Sequence, residues 1–262
     1  TYGGSLHENA TGIEQALAEA VLSTRRAGGN LLIPSFALER TQEVLYYLNR
    51  LQAAGRVPHV PVFLDSPMAV EVTEVFARHP DLFDEEMRRL MLTGSSPFSF
   101  PGLTMVRSAE KSKTLNHLRG TAVIIAGSGM CTGGRIKHHL VTNIGRKEST
   151  VLFVGYQAEG TLGREILSGA KLVRIHGQTH RVRARVSRIT GFSYDTIPVD
   201  STIPEDPEIA EVLQPYALAI ERDIDLDGVF SFIATAGTAK ILRNDLSGGD
   251  SQLGNLVARS MQ

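Results

Sequence analysis

Short apolar runs alternate with helical patterns through the first 190 residues, and this alternation is the strongest restriction on what the chain can fold into. Asn30 to Ser35, Val60 to Leu64, Thr121 to Ala126 and Thr150 to Val154 are each nearly continuously apolar. That is the pattern of strands covered on both faces rather than on one. Thr104-Met105-Val106 reads as a further strand. Between them, Ile13, Ala16, Leu17, Ala20 and Val21 recur at helical spacing until Gly28-Gly29 stops the helix. Helical patterns also cover 41–54, 68–78, 84–92 (with Asp84 as N-cap), 110–118, 133–143 and 162–168. Strands alternating with helices at this spacing predict an α/β fold with a doubly wound, mostly parallel sheet. In such sheets ligands bind outside the carboxyl ends of the strands. That rule selects Ser35-Phe36, Asp65-Ser66-Pro67, Gly127-Ser128-Gly129 and Gly155-Tyr156-Gln157 as the functional rim.

From residue 171 the pattern changes. Lys171 to Ile175 and Val182 to Ile189 read as the two arms of a β-hairpin. In the second arm Val182, Ala184, Val186 and Arg188 alternate with Arg183, Arg185 and Ser187, so one face is strongly basic. Residues 193–208 have the Pro- and Asp-rich texture of a linker. Residues 209–262 read as an incomplete, loosely packed α+β tail, with a helix over 213–224 and a strand over 229–235. Charge divides at the same place. Residues 1–192 hold 16 acids against 23 bases, a net of +7, while 193–262 hold 12 acids against 4 bases, a net of −8. Arg164 to Arg188 alone carries seven bases and one acid, Glu165. A basic module suits a polyanion, although a solvated charged face has the same composition. No apolar run approaches the roughly 18 residues of a membrane span, and the first residues are polar rather than signal-like.

The densest chemical signal is Ala126 to His139, with Gly127, Gly129, Gly133 and Gly134, the hydroxyls of Ser128 and Thr132, and the bases Arg135 and Lys137 between a buried strand and a helix. Glycines let backbone N–H groups approach an anion, and a helix N-terminus favours negative charge. The segment therefore reads as a phosphate-binding turn, or alternatively as a turn required only for close strand–helix packing. It matches neither the P-loop nor the dinucleotide fingerprint. His138 and His139 are adjacent on a helix and point about 100° apart, so they cannot chelate one ion. One reads as a core or capping histidine, the other as a surface or phosphate contact. His176 and His180 flank a turn at Gly177, and Cys131 is the only thiol, so no metal site is predicted. No nucleophile–base arrangement and no carboxylate pair stands out, and no catalytic residue is assigned. Asp65 is the one carboxylate at a strand end. It reads as a rim residue or as the N-cap of the helix after Pro67.

Five ordered motifs carry a resemblance to the β-CASP domain of RNA-processing hydrolases of the metallo-β-lactamase fold. They are Thr1-Tyr2-Gly3 with His7-Glu8, Ile33 to Ala37 with Arg40-Thr41-Gln42-Glu43, Asp65 to Ala69, Ile124 to Arg135, and Phe153 to Arg164. Val182 to Val186 and Gly191-Phe192-Ser193 extend it to about 192 residues. The resemblance implies a β-CASP-type sheet over 1–192 that binds single-stranded RNA. Tyr2, His7, Ser35, Arg40, Asp65, Ser66, Gly127, Ser128, Gly129, Gly133, Gly134, Arg135, His138, Thr161, Arg164, Arg183 and Arg185 are the candidate phosphate and RNA contacts. In the family, two zinc ions held by the metallo-β-lactamase core activate water for phosphodiester hydrolysis.

The family's His-x-His-x-Asp-His motif has no counterpart in residues 1–262, and Phe192-Ser193 runs into Tyr194-Asp195-Thr196 where a histidine is expected. The expectation is therefore a domain cut from its metallo-β-lactamase core at residue 1 and near Ser193, binding no zinc and inactive alone. After the second cut, Ile197 to Ala210 and Arg243 to Val257 resemble the interdomain and early C-terminal region of 5′-nucleotidases. A nucleotide phosphohydrolase fragment or a silent binding module is the alternative function. The expected setting is cytoplasmic, with no membrane partner.

Overall fold

Burial on both faces is what turns the apolar runs into a central sheet. The computed structural model describes residues 10–79, 96–118 and 120–192, together with 83, 88 and 91. All of them fall in one compact unit, Tyr2–Ser193. Tyr2, His7, Asp84, most of the helix expected over 84–92, the linker and the tail lie outside the described residues. In chain order the elements are α1 (Ala10–Ala27), β1 (Leu31–Pro34), α2 (Arg40–Ala53), β2 (Val62–Leu64), α3 (Pro67–Arg78) and β3 (Leu103–Met105). There follow α4 (Ala109–Thr114), continued by a 3-10 turn at Leu115–His117, then β4 (Val123–Ala126) and α5 (Ile136–Asn143). The order closes with β5 (Thr150–Phe153), α6 (Leu162–Leu167), β6 (Leu172–Ile175), β7 (Gln178–Arg181) and β8 (Arg185–Arg188).

Six strands form one sheet in the order β3-β2-β4-β1-β5-β8, and every pairing in it is parallel. Within each strand, alternate residues go to opposite cores. Leu31, Ile33, Val123, Ile125 and Leu152 pack with α1, α2 and α3 through residues such as Leu17, Leu45 and Val70. Leu32, Ile124, Val151 and Phe153 pack on the other face with Ile136 and Leu140 of α5, Ile166 of α6 and Val173 of β6. Each fully buried aliphatic side chain contributes about 1.5–3 kcal/mol, so two such cores hold the sheet from both sides. The steps β1 to β2 and β2 to β3 move one way behind the first face. The steps β3 to β4, β4 to β5 and β5 to β8 move back behind the second. Crossovers of one hand require this opposition.

Three helices begin where short hydroxyl side chains can cap them. The Ser66 hydroxyl accepts from the Ala69 N–H with Pro67 at the first helical position, Ser108 caps α4 through Lys111, and Thr161 caps α6 through Arg164. The cap of α3 is therefore Ser66, not Asp65. The expected helix at 133–143 starts only at Ile136, because Gly127 to Arg135 is folded back as a loop.

The expected hairpin is real but differently paired. β6 pairs antiparallel with β7, not with the basic arm, through a two-residue turn at His176-Gly177. Both turn residues have positive φ, +48° and +79°, which brings the chain straight back after Ile175. The basic arm is thereby released, and β8 joins the main sheet parallel to β5. No helix among the described residues is long and apolar enough to cross a membrane.

Candidate nucleic-acid site at the carboxyl edge of the sheet

The carboxyl ends of β1 and β2 lead to helices on one face, and those of β4 and β5 to helices on the other. Adjacent loops therefore part in opposite directions, and a crevice opens between them. Phe36 lies across it: a Cβ at Gly129 would stand 2.6 Å from the Phe36 ring, and one at Gly155 would stand 3.9 Å from it. The Thr41 hydroxyl holds the loop from below, 2.6 Å from the Phe36 carbonyl and 3.1 Å from the Ser35 hydroxyl. The Gln157 amide donates to the carbonyls of Gly129, Gly155 and Tyr156, tying the β4 and β5 loops together.

The glycine turn closes largely on itself. Ser128 N–H donates to the Gly133 carbonyl, Gly133 N–H to the Ser128 hydroxyl, and Ile136 N–H to the Gly127 carbonyl. Gly134 has φ +72°, and a Cβ there would lie 2.3 Å from the Gly127 carbonyl oxygen. Close packing thus accounts for Gly129 and Gly134. It does not account for Gly133, where a Cβ would meet nothing within 4 Å. The turn is a packing element with open space beside Gly133, whose N–H and carbonyl are both engaged by Ser128.

Beneath the turn sits a buried carboxylate. Asp65 is 0% exposed, and its oxygens lie 2.6 Å from the Ser112 hydroxyl, 2.7 Å from Arg135 Nη1 and 2.6 Å from His139 Nε2. Arg135 also donates to the carbonyls of Val106 and Arg107. Asp65 and Arg135 together therefore pin β2, the segment after β3, α4, and the start of α5. Burial pushes the Asp65 carboxyl up, but the hydrogen bonds from His139, Ser112 and Arg135 outweigh it and hold it below the usual carboxylate range. Arg135, expected on phosphate, is instead occupied internally, and Asp65 is a hub under the rim rather than part of its surface.

The structure separates the other candidates. Ser35, 2% exposed, and Thr161, 6% exposed, are buried loop and cap hydroxyls. Ser66 is a cap, and Arg40 is paired with Glu43 at 2.8 Å while its guanidinium lies 5.3 Å from the Phe192 ring centroid. Gly127, Ser128, Gly129, Gly133 and Gly134 share the crevice margin, and Arg164 follows the Thr161 cap on the β5 side. His138 is exposed and stacks on His176 of the hairpin, ring centroids 4.7 Å apart. Arg183 and Arg185 are elsewhere: their N–H groups bond the carbonyls of Ile144 and Ser149, just ahead of β5, at the amino end of the sheet. The residues missed from sequence are Ser112, His139 as a partner of Asp65, and the exposed rim side chains Leu38 and Met68, whereas Tyr156, selected from the strand ends, is exposed at the rim as expected. Leu38 and Met68 read as ordinary apolar residues beside a strand, and only the structure shows them outside both cores.

Among the described residues no three His, Cys, Asp or Glu side chains gather as a metal site. His139 is turned to Asp65, the two exposed histidines stack face to face, and burial pushes the Cys131 thiol up to about 12. These residues do not fit a dinuclear zinc centre. A thiol so buried should resist reagents. Ellman's reagent is expected to leave Cys131 unmodified in the native protein and to titrate one thiol in urea; rapid native labelling would contradict this burial.

A doubly wound α/β domain with its ligand crevice at the carboxyl edge is the class that fold and site define. Residues 41–166 match the family model described as the Beta-Casp domain. Ribonuclease TTHA0252 of Thermus thermophilus is 42% identical over 193 residues, which are 74% of this chain and 44% of the relative. Transcription termination factor FttA of Methanosarcina mazei is 34% identical over 206 residues, 74% of this chain and 31% of the relative. The FttA of Methanocaldococcus jannaschii is also 34% identical, over 186 residues, 69% of this chain and 29% of the relative. The chain thus spans less than half the length of these relatives.

Proposed function

We propose that this domain holds and orients single-stranded RNA for a zinc-dependent ribonuclease of the metallo-β-lactamase fold, acting in RNA processing or decay. One observation carries the reading above the others. The residues matched to the Beta-Casp domain, 41–166, include the β2, β4 and β5 margins of the carboxyl-edge crevice. The names of the relatives, a ribonuclease and transcription termination factors, support RNA as the ligand. The crevice margin offers what an RNA strand needs: the exposed Tyr156 ring for a base, the Thr132 and Ser128 hydroxyls, and room for close approach beside Gly133. The described residues bind and position the strand. Hydrolysis belongs to a metal-holding core that they do not supply.

The test is filter binding of a fluorescent oligouridylate to the full chain across a KCl series. Affinity is expected to fall linearly on a log–log plot, with a slope of about −0.7 for each phosphate neutralised. Tyr156→Ala should weaken binding by about 1–3 kcal/mol, the value of one base stacked on an aromatic ring. No binding at low salt, or binding indifferent to salt, overturns the proposal.

A further inference from the structure

The basic arm singled out in the sequence is not part of the carboxyl-edge crevice. β8 is the outermost strand of the sheet, parallel to β5 in the register Thr150↔Arg185 to Phe153↔Arg188. Arg183 and Arg185 stand at the amino end and Arg188 at the carboxyl end, a run of about 16 Å at 3.3 Å per residue. The segment hydrogen-bonded to Arg183, Ala184 and Arg185, residues 144–149, adds Arg146 and Lys147. Arg185 and Arg188 are exposed, and neither is paired with a carboxylate among the described residues.

Beside this edge lies a groove of about 570 Å³ between α1 and the strands β5 and β8. That is within the range of small-ligand pockets. Its wall on α1 is made of small residues, Ala16, Ala20 and Ser23, and its floor includes Leu152 and Ile189. Arg185 and Arg188 line it from β8, Arg185 on the α1 face of the strand and Arg188, in register with Phe153, on the opposite face at the open sheet edge, and Ser187 between them carries a buried hydroxyl with no hydrogen-bond partner. Glu19 and Arg26 also line it, but they neutralise each other at 3.0 Å, which leaves the excess positive charge on β8. Charged residues on an edge strand also prevent strand-to-strand aggregation. That role needs neither a groove nor an unpartnered hydroxyl inside it.

We propose that the α1–β8 groove is a second single-stranded RNA site, in which Arg185 holds a phosphate in the groove, Arg188 holds a second where the strand crosses the sheet edge, and the apolar floor takes one nucleotide. The proposal rests on the RNA-binding reading above and adds a site away from the crevice. A strand in the crevice leaves the sheet edge free, so the two sites extend the length of RNA held rather than compete.

The experiment measures oligouridylate binding to the full chain, against KCl, for wild type, Arg185→Ala/Arg188→Ala, and a charge-matched control, Lys111→Ala/Lys113→Ala on exposed positions of α4. The β8 double variant should bind at least about tenfold more weakly at low salt and lose about 1.4 from the salt slope, two phosphates at about 0.7 each. The control should change neither. Ser23→Leu, which fills the groove without changing charge, should weaken binding about threefold or more while leaving the salt slope in place. Circular dichroism and urea midpoints matching wild type confirm that the variants are folded. Equal losses in the β8 and control variants, no loss in the β8 variant, or competition by polyglutamate as effective as RNA of the same charge overturns the second site. If wild type does not bind RNA at all, the functional reading fails. If wild type binds, Tyr156→Ala weakens it and the β8 variant does not, only the second site fails.

Discussion

Asp65→Ala should destabilise the domain by about 3–5 kcal/mol in urea unfolding, the cost of leaving buried charge partners uncompensated. The magnitude follows from where the carboxylate sits. It is 0% exposed, and the Arg135 side chain is only 21% exposed and His139 only 1%. Removing the carboxylate leaves the guanidinium, the imidazole and the Ser112 hydroxyl facing a cavity that no other side chain fills. Asp65→Asn preserves the volume but presents an amide donor to groups that already donate, and should cost roughly 1–3 kcal/mol. The pH dependence has a definite sign. The folded-state pKa lies below the ordinary value of about 3.9. The stabilisation is therefore complete above that value and is lost as pH falls through the lower folded value. Wild type should lose stability steeply below about pH 4, and Asp65→Asn should show a shallower loss. An Asp65→Ala variant as stable as wild type would refute the hub.

Gly134→Ala should cost about 3 kcal/mol or more, while Gly133→Ala, one residue away, should stay within about 0.5 kcal/mol of wild type. At Gly134 two penalties coincide. A side chain must adopt φ +72°, and its Cβ would lie 2.3 Å from the Gly127 carbonyl oxygen and 2.8 Å from the Ser128 nitrogen. These are backbone atoms held by the turn's own hydrogen bonds, so they cannot step aside cheaply. At Gly133 neither penalty applies, because φ is not positive and the space is empty. The RNA readout of the same pair decides what the turn is for. If an RNA strand approaches the backbone at Gly133, the alanine weakens binding without changing the urea midpoint. If both stability and binding are unchanged, the glycine turn serves packing alone.

Much of this architecture is legible in the amino-acid sequence. The continuous apolar runs at 31–34, 62–64, 123–126 and 150–153 become the buried parallel strands, since a strand covered on both faces needs apolar residues at consecutive positions. The helical patterns over 68–78, 110–118 and 162–168 become α3, α4 with its 3-10 turn, and α6. The carboxyl-edge rim follows from strand direction alone. Each of these features depends on residues within one turn or one pleat of each other.

What escaped the sequence depends on partners brought together by crossovers. Ser112 and His139 lie 47 and 74 residues from Asp65, so no local pattern announces that the carboxylate will be buried beneath the rim rather than displayed on it. Arg135 reads as a phosphate contact because its neighbours are glycines, and it becomes a clamp because Asp65 and two carbonyls arrive from other strands. The positive φ of His176 and Gly177 decides which arm completes the hairpin. That choice moves the arginines of β8 from a hairpin face to the outer edge of the main sheet. The count of charges along the chain was readable from the start. Their position relative to the crevice was not, because sheet order, and not sequence order, determines which edge they occupy.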